Sequence, residues 1–359
     1  MNGIYQFFES VVNFMVKKKV LVAMSGGIDS SVAALILVER GFEVAGVTMY
    51  FGLSTSEKAV EDATSVCKKL DIPHHVLDYS HHMEDIVIQD FVNQYRQGKT
   101  PNPCVVCNKH LKFGKLLSHA RIMGFDYLAT GHYARIEERG GKYFLKRPKD
   151  RRKDQTYFLY GIEQTHLPFI LFPLSELTKE EVRALATWAH LPVATKPQSQ
   201  DVCFLLHGDY RKFLTQKIQE DLSGLIVTSD GRVLGRHRGY FQYTIGQRKG
   251  LRVSGVKPFY VVAIRPERHE VVVGGRGELK VRGLIASPCN ILVEAFPTHL
   301  FAQVRYLQRE RLCSVRILDF QKVQVMFEEE VEMVTPGQSV VFYSHDEILG
   351  GGIIERVLE

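Results

Sequence analysis

Apolar and polar positions follow two different rhythms along this chain. In the first half, continuous apolar runs of strand length take turns with longer stretches of helical period. Val20–Met24 is one such run, and Ser31–Val38 restarts at once with helix character and stops at Gly41. The pattern then predicts a strand over Glu43–Tyr50, a helix over Glu57–Leu70 and a strand over His74–Asp78. A helix over His82–Tyr95 follows, then the turn-rich loop Gln97–Pro103, a helix over Lys109–Met123 and a strand over Tyr127–Thr130. Strands alternating with helices at this spacing imply a doubly wound parallel sheet, with ligands at the carboxyl ends of its strands.

Beyond Thr130 the rhythm changes. Residues 133–145 read as a hairpin turning at Arg139-Gly140-Gly141, and 177–190 as a further helix. From Gly224 onward short strands separated by glycine turns dominate, at 224–227, 260–264 and 271–273. Residues 281–359 alternate apolar and polar positions, as at 322–327 and 339–343, which implies a small antiparallel β-barrel. A chain of 359 residues is too long for one ordinary core. We expect an N-terminal extension at 1–17, an α/β domain at 18–205, a small mostly-β domain at 206–280 and the barrel at 281–359.

Charge sharpens this division. The net charge of +6 splits into +10 for residues 1–280 and −4 for the barrel region. Residues 142–153 hold seven Lys/Arg and one acid, Asp150, while 232–257 hold seven Lys/Arg and no acid, interleaved with Tyr240, Phe241 and Tyr243. Cations meet phosphates and aromatic rings stack unpaired bases, so both runs are read as RNA-facing. Six cysteines, at 67, 104, 107, 203, 289 and 313, are too few for a disulfide scaffold in a chain this long. The apolar stretch 4–16 carries Glu9 and Asn13, is too short to span a bilayer and is followed by no cleavage site. A cytoplasmic protein with no membrane partner is expected.

The chemistry begins at Ser25-Gly26-Gly27-Ile28-Asp29-Ser30, between the first strand and the first helix. Backbone N–H groups and the positive helix end meet there, and adjacent glycines let the chain approach an anion closely. Ser25 and Ser30 add hydroxyl donors, and Asp29 is a carboxylate suited to Mg²⁺ beside phosphates. No Gly-Lys-Ser/Thr follows, so this is not a Walker A loop. Cys107 is read as opening a helix, where the positive end, Lys109 and Lys112 would favour the thiolate. Cys203 lies in a Pro- and Ser-containing segment between the apolar Val202 and Phe204, so an exposed loop thiol and a buried strand cysteine are both open from its neighbours alone. Cys67, Cys289 and Cys313 sit in helix or strand patterns and are read as structural.

The loop resembles the PP-loop of the ATP pyrophosphatases. Further stretches, Thr100–Asn108, Thr130–Ala134, Lys153–Tyr157, Ser199–Phe204, Tyr243–Arg248 and Pro336-Gly337-Gln338, resemble one family, the tRNA-specific 2-thiouridylases. The resemblance implies an adenine nucleotide alpha hydrolase-like PP-loop domain followed by the two β domains. It implies an enzyme that uses ATP and Mg²⁺ to adenylate the C2 oxygen of the wobble uridine in glutamate, glutamine and lysine tRNAs. Persulfide sulfur, supplied by a donor protein, then replaces that oxygen.

Residue by residue, the resemblance implies ATP contacts at Ala23, Met24, Ser25, Gly26, Gly27, Ile28, Asp29, Ser30, Met49 and Gly131. It implies target-base contacts at Asn102, Pro103 and Cys104, and tRNA contacts at His132, Lys153, Asp154, Gln155, Arg305, Tyr306 and Gln338. Cys107 would be the nucleophile, Cys203 the persulfide carrier, and the two would form a transient disulfide. Many family members carry Asp where this chain has Cys104, so a second reading has Cys104, Cys107 and Cys203 holding an iron–sulfur cluster. The persulfide reading is preferred because the Cys-x-x-Cys step lacks a third nearby cysteine of the ferredoxin type. The alternatives at the level of function are another PP-loop sulfurtransferase or ligase, and a non-catalytic tRNA-binding protein.

Overall fold

A computed structural model describes residues 17–197, 202–205, 208–253 and 258–358. The expected N-terminal extension and the Ser199–Asp201 part of one motif lie outside the described residues. The chain forms two compact units. The first takes the described residues of 1–83, 108–156 and 162–200; the second takes those of 84–107, 157–161 and 201–359.

The first unit is built on a parallel sheet. Strands β1 (Lys19–Ala23), β2 (Glu43–Tyr50), β3 (His74–Asp78) and β4 (Tyr127–Thr130) lie at the expected positions. With β7 (Ile170–Leu171) they give the order β3-β2-β1-β4-β7. All four pairings are parallel. Val20, Leu21 and Val22 of β1 are fully buried, which is why the strand reads as a continuous apolar run instead of an alternating one. Helix α1 (Ile28–Glu39) is buried along most of its length and packs with α6 (Lys179–Trp188) through Val32, Ile36, Val182 and Ala186. Helix α2 (Ser54–Lys69) starts three residues before its expected first residue. The hairpin of β5 (Arg135–Arg139) and β6 (Lys142–Lys146) turns at the expected glycines. Because β1 sits between β2 and β4, the chain leaves β1 at the point where strand order reverses, and a crevice opens there.

The second unit contains α3 (Gln89–Arg96) and α4 (Pro103–Val106), the latter leading into a π-helical stretch at Cys107–Leu116 and then α5 (Leu117–Ile122) in the first unit's residues. After helix α7 (Tyr210–Lys217) come β8 (Gly224–Thr228), β9 (Val233–His237), β10 (Tyr260–Arg265) and β11 (Glu270–Gly274), a four-stranded sheet of order β10-β11-β8-β9. Strand β9 was not foreseen, since Gly235, Arg236 and His237 leave it only two apolar residues, Val233 and Leu234. The last six strands are β12 (Lys280–Ile291), β13 (Leu300–Gln303), β14 (Arg311–Asp319), β15 (Lys322–Glu332), β16 (Ser339–Ser344) and β17 (Glu347–Leu358). They run in the order β12-β15-β14-β13-β16-β17, and pairing of β12 with β17 closes them into an antiparallel barrel. Closure leaves no unpaired strand edge, and inward side chains such as Leu284, Val325, Val340 and Phe342 fill the interior.

Candidate active site

The residues expected to meet the nucleotide lie in the first unit. Strand β1 ends at Ala23, and the buried Met24 donates its N–H to the Val47 carbonyl of β2 at 2.7 Å. Gly26 follows with φ of +67°, and a Cβ there would lie 2.7 Å from the Ala59 carbonyl oxygen. Only glycine fits that position. Gly27 is the N-cap of α1 and supplies no side chain to its orphan N–H groups, leaving them for an anion. Gly131, just past β4, comes so close that a Cβ would sit 2.5 Å from the Ser30 nitrogen. The end of β4 and the first turn of α1 are thus pressed together by the absence of a side chain at Gly131.

The serines divide their labour in a way their spacing did not reveal. Ser30 is buried, and its hydroxyl donates to the Gly27 carbonyl at 3.1 Å while accepting from the Ser25 N–H at 3.2 Å. Ser31 also donates to Gly27, at 2.8 Å. Ser30 therefore holds the loop's shape, and Ser25 is the exposed hydroxyl of the pair. Ile28 is buried in the core, and Met49 lies half-buried at the end of β2.

Asp29 is half-buried and anchored from two sides. The Tyr133 hydroxyl donates to it at 2.9 Å and the Lys179 ammonium at 2.5 Å. Burial first, and then Asp29 itself, push the Tyr133 phenol far up, so it remains a donor. Lys179 is almost fully buried in the first turn of α6, after the Thr178–Glu181 capping box. A cation there opposes the helix dipole, so the position must be held by other contacts, and Asp29 supplies one. Lys196 reaches the same loop, donating to the Gly26 carbonyl at 2.9 Å and to Asp62 at 2.5 Å. Burial works against ionisation of Asp62, yet the bonds from Lys196 and Lys58 hold its carboxyl below the usual range. The sequence reading missed Lys179, Lys196, Tyr133 and Asp62; a lysine at a helix start was the one available signal.

Next to Gly131, the His132 Nδ1 meets the Thr130 hydroxyl at 2.8 Å, and the ring packs against Phe113 and Phe172. Desolvation, and secondly Lys112, hold it well below the ordinary histidine pKa, so it is neutral at pH 7. Gln155 exchanges two bonds with Tyr133: its side-chain oxygen accepts from the Tyr133 N–H at 2.9 Å, and its own N–H donates to the Tyr133 carbonyl at 3.1 Å. Asp154 caps Thr156 at 2.9 Å and lies 3.4 Å from Arg147. Burial outweighs these contacts and raises its carboxyl pKa. Lys153 is half-buried beside them.

The thiol half lies in the second unit, and here the expected geometry is corrected. Cys107 does not open a helix. The helix starts at Pro103, and the Asn102 side chain is its N-cap, accepting from the Cys104 N–H at 3.2 Å. Asn-Pro was read as the end of a turn, but it is equally an N-cap followed by the proline favoured at the first helical position. Cys104 therefore occupies the first turn and is exposed, whereas Cys107 sits at its end and is buried. The Lys112 ammonium donates to Asn108 at 3.0 Å. Cys203 is exposed on a turn, while Phe204 is buried between Phe91 of α3 and Phe213 of α7, each ring centre 5.3 Å away. One residue anchors this segment and its neighbour presents a thiol to solvent.

Elsewhere in the second unit Tyr306 packs on Phe158 with ring centres 4.5 Å apart, and Arg305 is half-buried beside it. The Gln338 amide donates to the Thr100 carbonyl at 2.8 Å. The other three cysteines are buried, and desolvation pushes the Cys67 thiol up to about 11 and those of Cys289 and Cys313 up to about 12. Among the described residues no three His, Cys, Asp or Glu side chains gather as metal ligands, so Cys104, Cys107 and Cys203 are not arranged as a cluster site here.

The RNA-facing reading of the aromatics at 240–243 is also corrected. Tyr240, Phe241 and Tyr243 are buried, and the two tyrosines share the core of the four-stranded sheet with Ile226, Val261 and Val271. Burying such rings outweighs holding them ready to stack a base. The intervening Arg232, Arg236, Arg238, Arg248, Lys249 and Arg252 are exposed. The other basic run is largely paired: Lys146 with Glu137, Arg147 with Asp154, Lys149 with Glu181, and Arg152 with Asp150 and Glu180.

Three family models match successive parts of the chain: tRNA methyl transferase HUP domain over residues 18–207, tRNA methyl transferase PRC-barrel domain over 211–275, and aminomethyltransferase beta-barrel domain over 281–354. The chain is 51% identical over 356 residues to tRNA-specific 2-thiouridylase MnmA 1 of Syntrophus aciditrophicus, covering 97% of this chain and 95% of that protein. It is 48% identical to tRNA-specific 2-thiouridylase MnmA of Carboxydothermus hydrogenoformans, covering 95% of this chain and 99% of that one. The corresponding protein of Caldicellulosiruptor saccharolyticus is 46% identical, with the same coverage of 95% and 99%.

Proposed function

The chain belongs to the tRNA-specific 2-thiouridylase family, and from that premise we propose that it replaces the C2 oxygen of the tRNA wobble uridine with sulfur, using ATP. The observation that carries the reading is the loop at 24–30, where two positions that admit only glycine, Gly26 and Gly131, bring uncapped backbone N–H groups into one crevice. Such a site holds a polyphosphate. Ala23, Met24, Ser25, Gly26, Gly27, Ile28, Asp29, Ser30, Met49 and Gly131 are the ATP contacts in this reading. Asp29 is the residue for Mg²⁺, which would neutralise phosphate charge.

A uridine C2 oxygen is a poor leaving group. Its attack on the α-phosphorus of ATP expels pyrophosphate and turns that oxygen into part of AMP. The terminal sulfur of a persulfide on Cys203 then attacks C2 and AMP departs. The Cys107 thiolate attacks the sulfur still bonded to the Cys203 side chain, releasing the 2-thiouridine sulfur and leaving a Cys107–Cys203 disulfide for an external thiol to reduce. The exposure of Cys203 supports its role as acceptor of sulfur from a donor protein. Asn102, Pro103 and Cys104 form the target-base loop in this reading, and His132, Lys153, Asp154, Gln155, Arg305, Tyr306 and Gln338 the residues nearest the RNA.

The substrates are the glutamate, glutamine and lysine tRNAs, and the setting is the cytoplasm; no helix among the described residues is long and apolar enough to cross a membrane. Nucleoside mass spectrometry of tRNA from cells with and without the gene tests the reading. Loss of 2-thiouridine at the wobble position is the expected result, and unchanged 2-thiouridine would remove the proposal.

A further inference from the structure

Two stretches singled out in the sequence, 243–248 and 336–338, take no part in the chemical steps above. Both converge on Thr100, two residues before the Asn102 cap, and all of these residues belong to the second unit. The Thr100 N–H donates to the Pro336 carbonyl at 2.9 Å. The Gln338 amide donates back to the Thr100 carbonyl at 2.8 Å and reaches the Pro101 carbonyl at 3.5 Å. Between them Gly337 adopts φ of +91°, and a Cβ there would lie 2.9 Å from the Thr100 nitrogen and 3.0 Å from its carbonyl carbon. The Thr100 hydroxyl also meets that of Thr244 at 3.5 Å. Gly98 lies so near Pro266 that a Cβ would come within 2.6 Å of its ring.

Gln338 is itself fixed by the barrel. Its N–H donates to Thr335 at 3.1 Å, and its carbonyl accepts from Ile354 of β17 at 2.8 Å. A rigid barrel thus grips one peptide of an irregular loop, and that loop sets the position of the helix carrying Cys104 and Cys107.

The geometry points to Gln338 and Gly337 as positioning residues: the barrel clamps the Thr100 peptide and so sets Asn102, Cys104 and Cys107 for the target base. Gln338 then acts through the loop in addition to the RNA contact proposed for it, because its amide N–H group is directed at two loop carbonyls. The activity arm of the test rests on the thiolation reading; the other arms do not. Removing the grip leaves the Thr100 carbonyl without its donor and lets the loop shift, and a shift of about 1 Å at a reacting group costs about tenfold to a hundredfold in rate.

The test uses the full chain with Gln338→Met, which keeps length and loses the donor, and Gly337→Ala, which removes no side chain that could touch RNA. In both variants the Thr100 amide is expected to exchange hydrogen faster, and Cys104 to be alkylated at an altered rate, with thermal melting and ATP binding retained as controls. Thiolation kcat at saturating tRNA is expected to fall about tenfold or more in both, with the tRNA Kd of Gly337→Ala within about twofold of wild type. A raised Kd with kcat and Thr100 exchange unchanged would overturn the clamp and leave Gln338 as an RNA contact only. Faster exchange in the variants, beside a wild-type protein that never thiolates, would keep the clamp and remove the proposed function instead.

Discussion

The two halves of the proposed reaction are built in opposite ways. The nucleotide half is made from the ends of regular elements: β1 stops, α1 starts, Gly131 closes in from β4, and Ser30, Ser31, Tyr133, Lys179 and Lys196 tie the loop from within the same unit. The thiol half is made from irregular chain held at single points. Its loop is gripped at Thr100, and its second cysteine is presented by a turn anchored through one ring, Phe204. The difference fits the chemistry. Adenylation needs fixed donors around charge that develops at one place. Sulfur transfer needs a thiol that can meet a donor protein and then the nucleotide.

The largest effect is expected at the rigid half. Asp29→Ala removes the Mg²⁺-side carboxylate and also strands the Lys179 ammonium, which is only 4% exposed. Pyrophosphate release with unmodified tRNA should fall by about a hundredfold or more, since a charged group at developing charge contributes on that scale. Lys179→Met should lower the melting temperature as well, because breaking a buried pair by removing one partner costs about 3 kcal/mol. Affinity for tRNA should be retained in both. Normal pyrophosphate release from Asp29→Ala would show that this half does not depend on the carboxylate.

Phe204→Ala probes the other half. Loss of its packing between Phe91 and Phe213 frees the segment bearing Cys203 without touching the PP-loop. Thiolation should drop about tenfold while pyrophosphate release stays near wild type, as expected when only the second step loses its geometry. An equal fall in both rates would mean that the halves are not separable in this way.

How much of this was legible follows the same contrast. Strands β2, β3 and β4 were readable to the residue, β2 and β4 because their apolar runs are buried in a parallel sheet and β3, its half-exposed edge, because Pro73 and Asp78 bound it, and the loop at 25–30 announced itself by glycines between a strand and a helix. The thiol half was misread where one residue has two local meanings: Asn102-Pro103 serves as a cap and helix start, not as the end of a turn. Tyr240 and Tyr243 show the limit of composition. Aromatics among arginines suit a nucleic-acid face, but only tertiary packing decides which side of a strand-rich layer they occupy, and here it is the inside. Lys179 was hidden because its partner, Asp29, is 150 residues away.

A smaller effect is expected from the exposed cations that those buried aromatics leave behind. If Arg248 and Lys249 meet phosphates, replacing both with Ala should lower the salt slope of tRNA binding by roughly two, about one for each lost contact. Arg152 is the comparison, since its guanidinium already pairs with Glu180 at 3.0 Å and with Asp150. Arg152→Ala should therefore change the slope less. The reverse order would return the RNA contact to the run at 142–153.

The smallest effect is expected at Cys104, and that makes it the sharpest question about the thiol half. Cys104 stands in the first turn of the helix, exposed, with its N–H capped by Asn102. Cys107, at the end of that turn, is buried. If the reaction runs on Cys107 and Cys203 alone, Cys104→Asp changes little, because a carboxylate in the first helical turn is favoured by the dipole and leaves both working thiols in place. Thiolation should stay within about twofold of wild type, a difference well below the tenfold that corresponds to about 1.4 kcal/mol. The cluster reading makes the opposite demand, since three thiolates would then hold the irons and loss of one would empty the site. Anaerobic purification with iron analysis and visible spectra, on wild type and Cys104→Asp together, separates the two. Colourless, iron-free wild-type protein that thiolates tRNA supports two working thiols; a brown protein whose rate follows its iron content, and whose Cys104→Asp variant loses both, would replace persulfide chemistry with cluster chemistry.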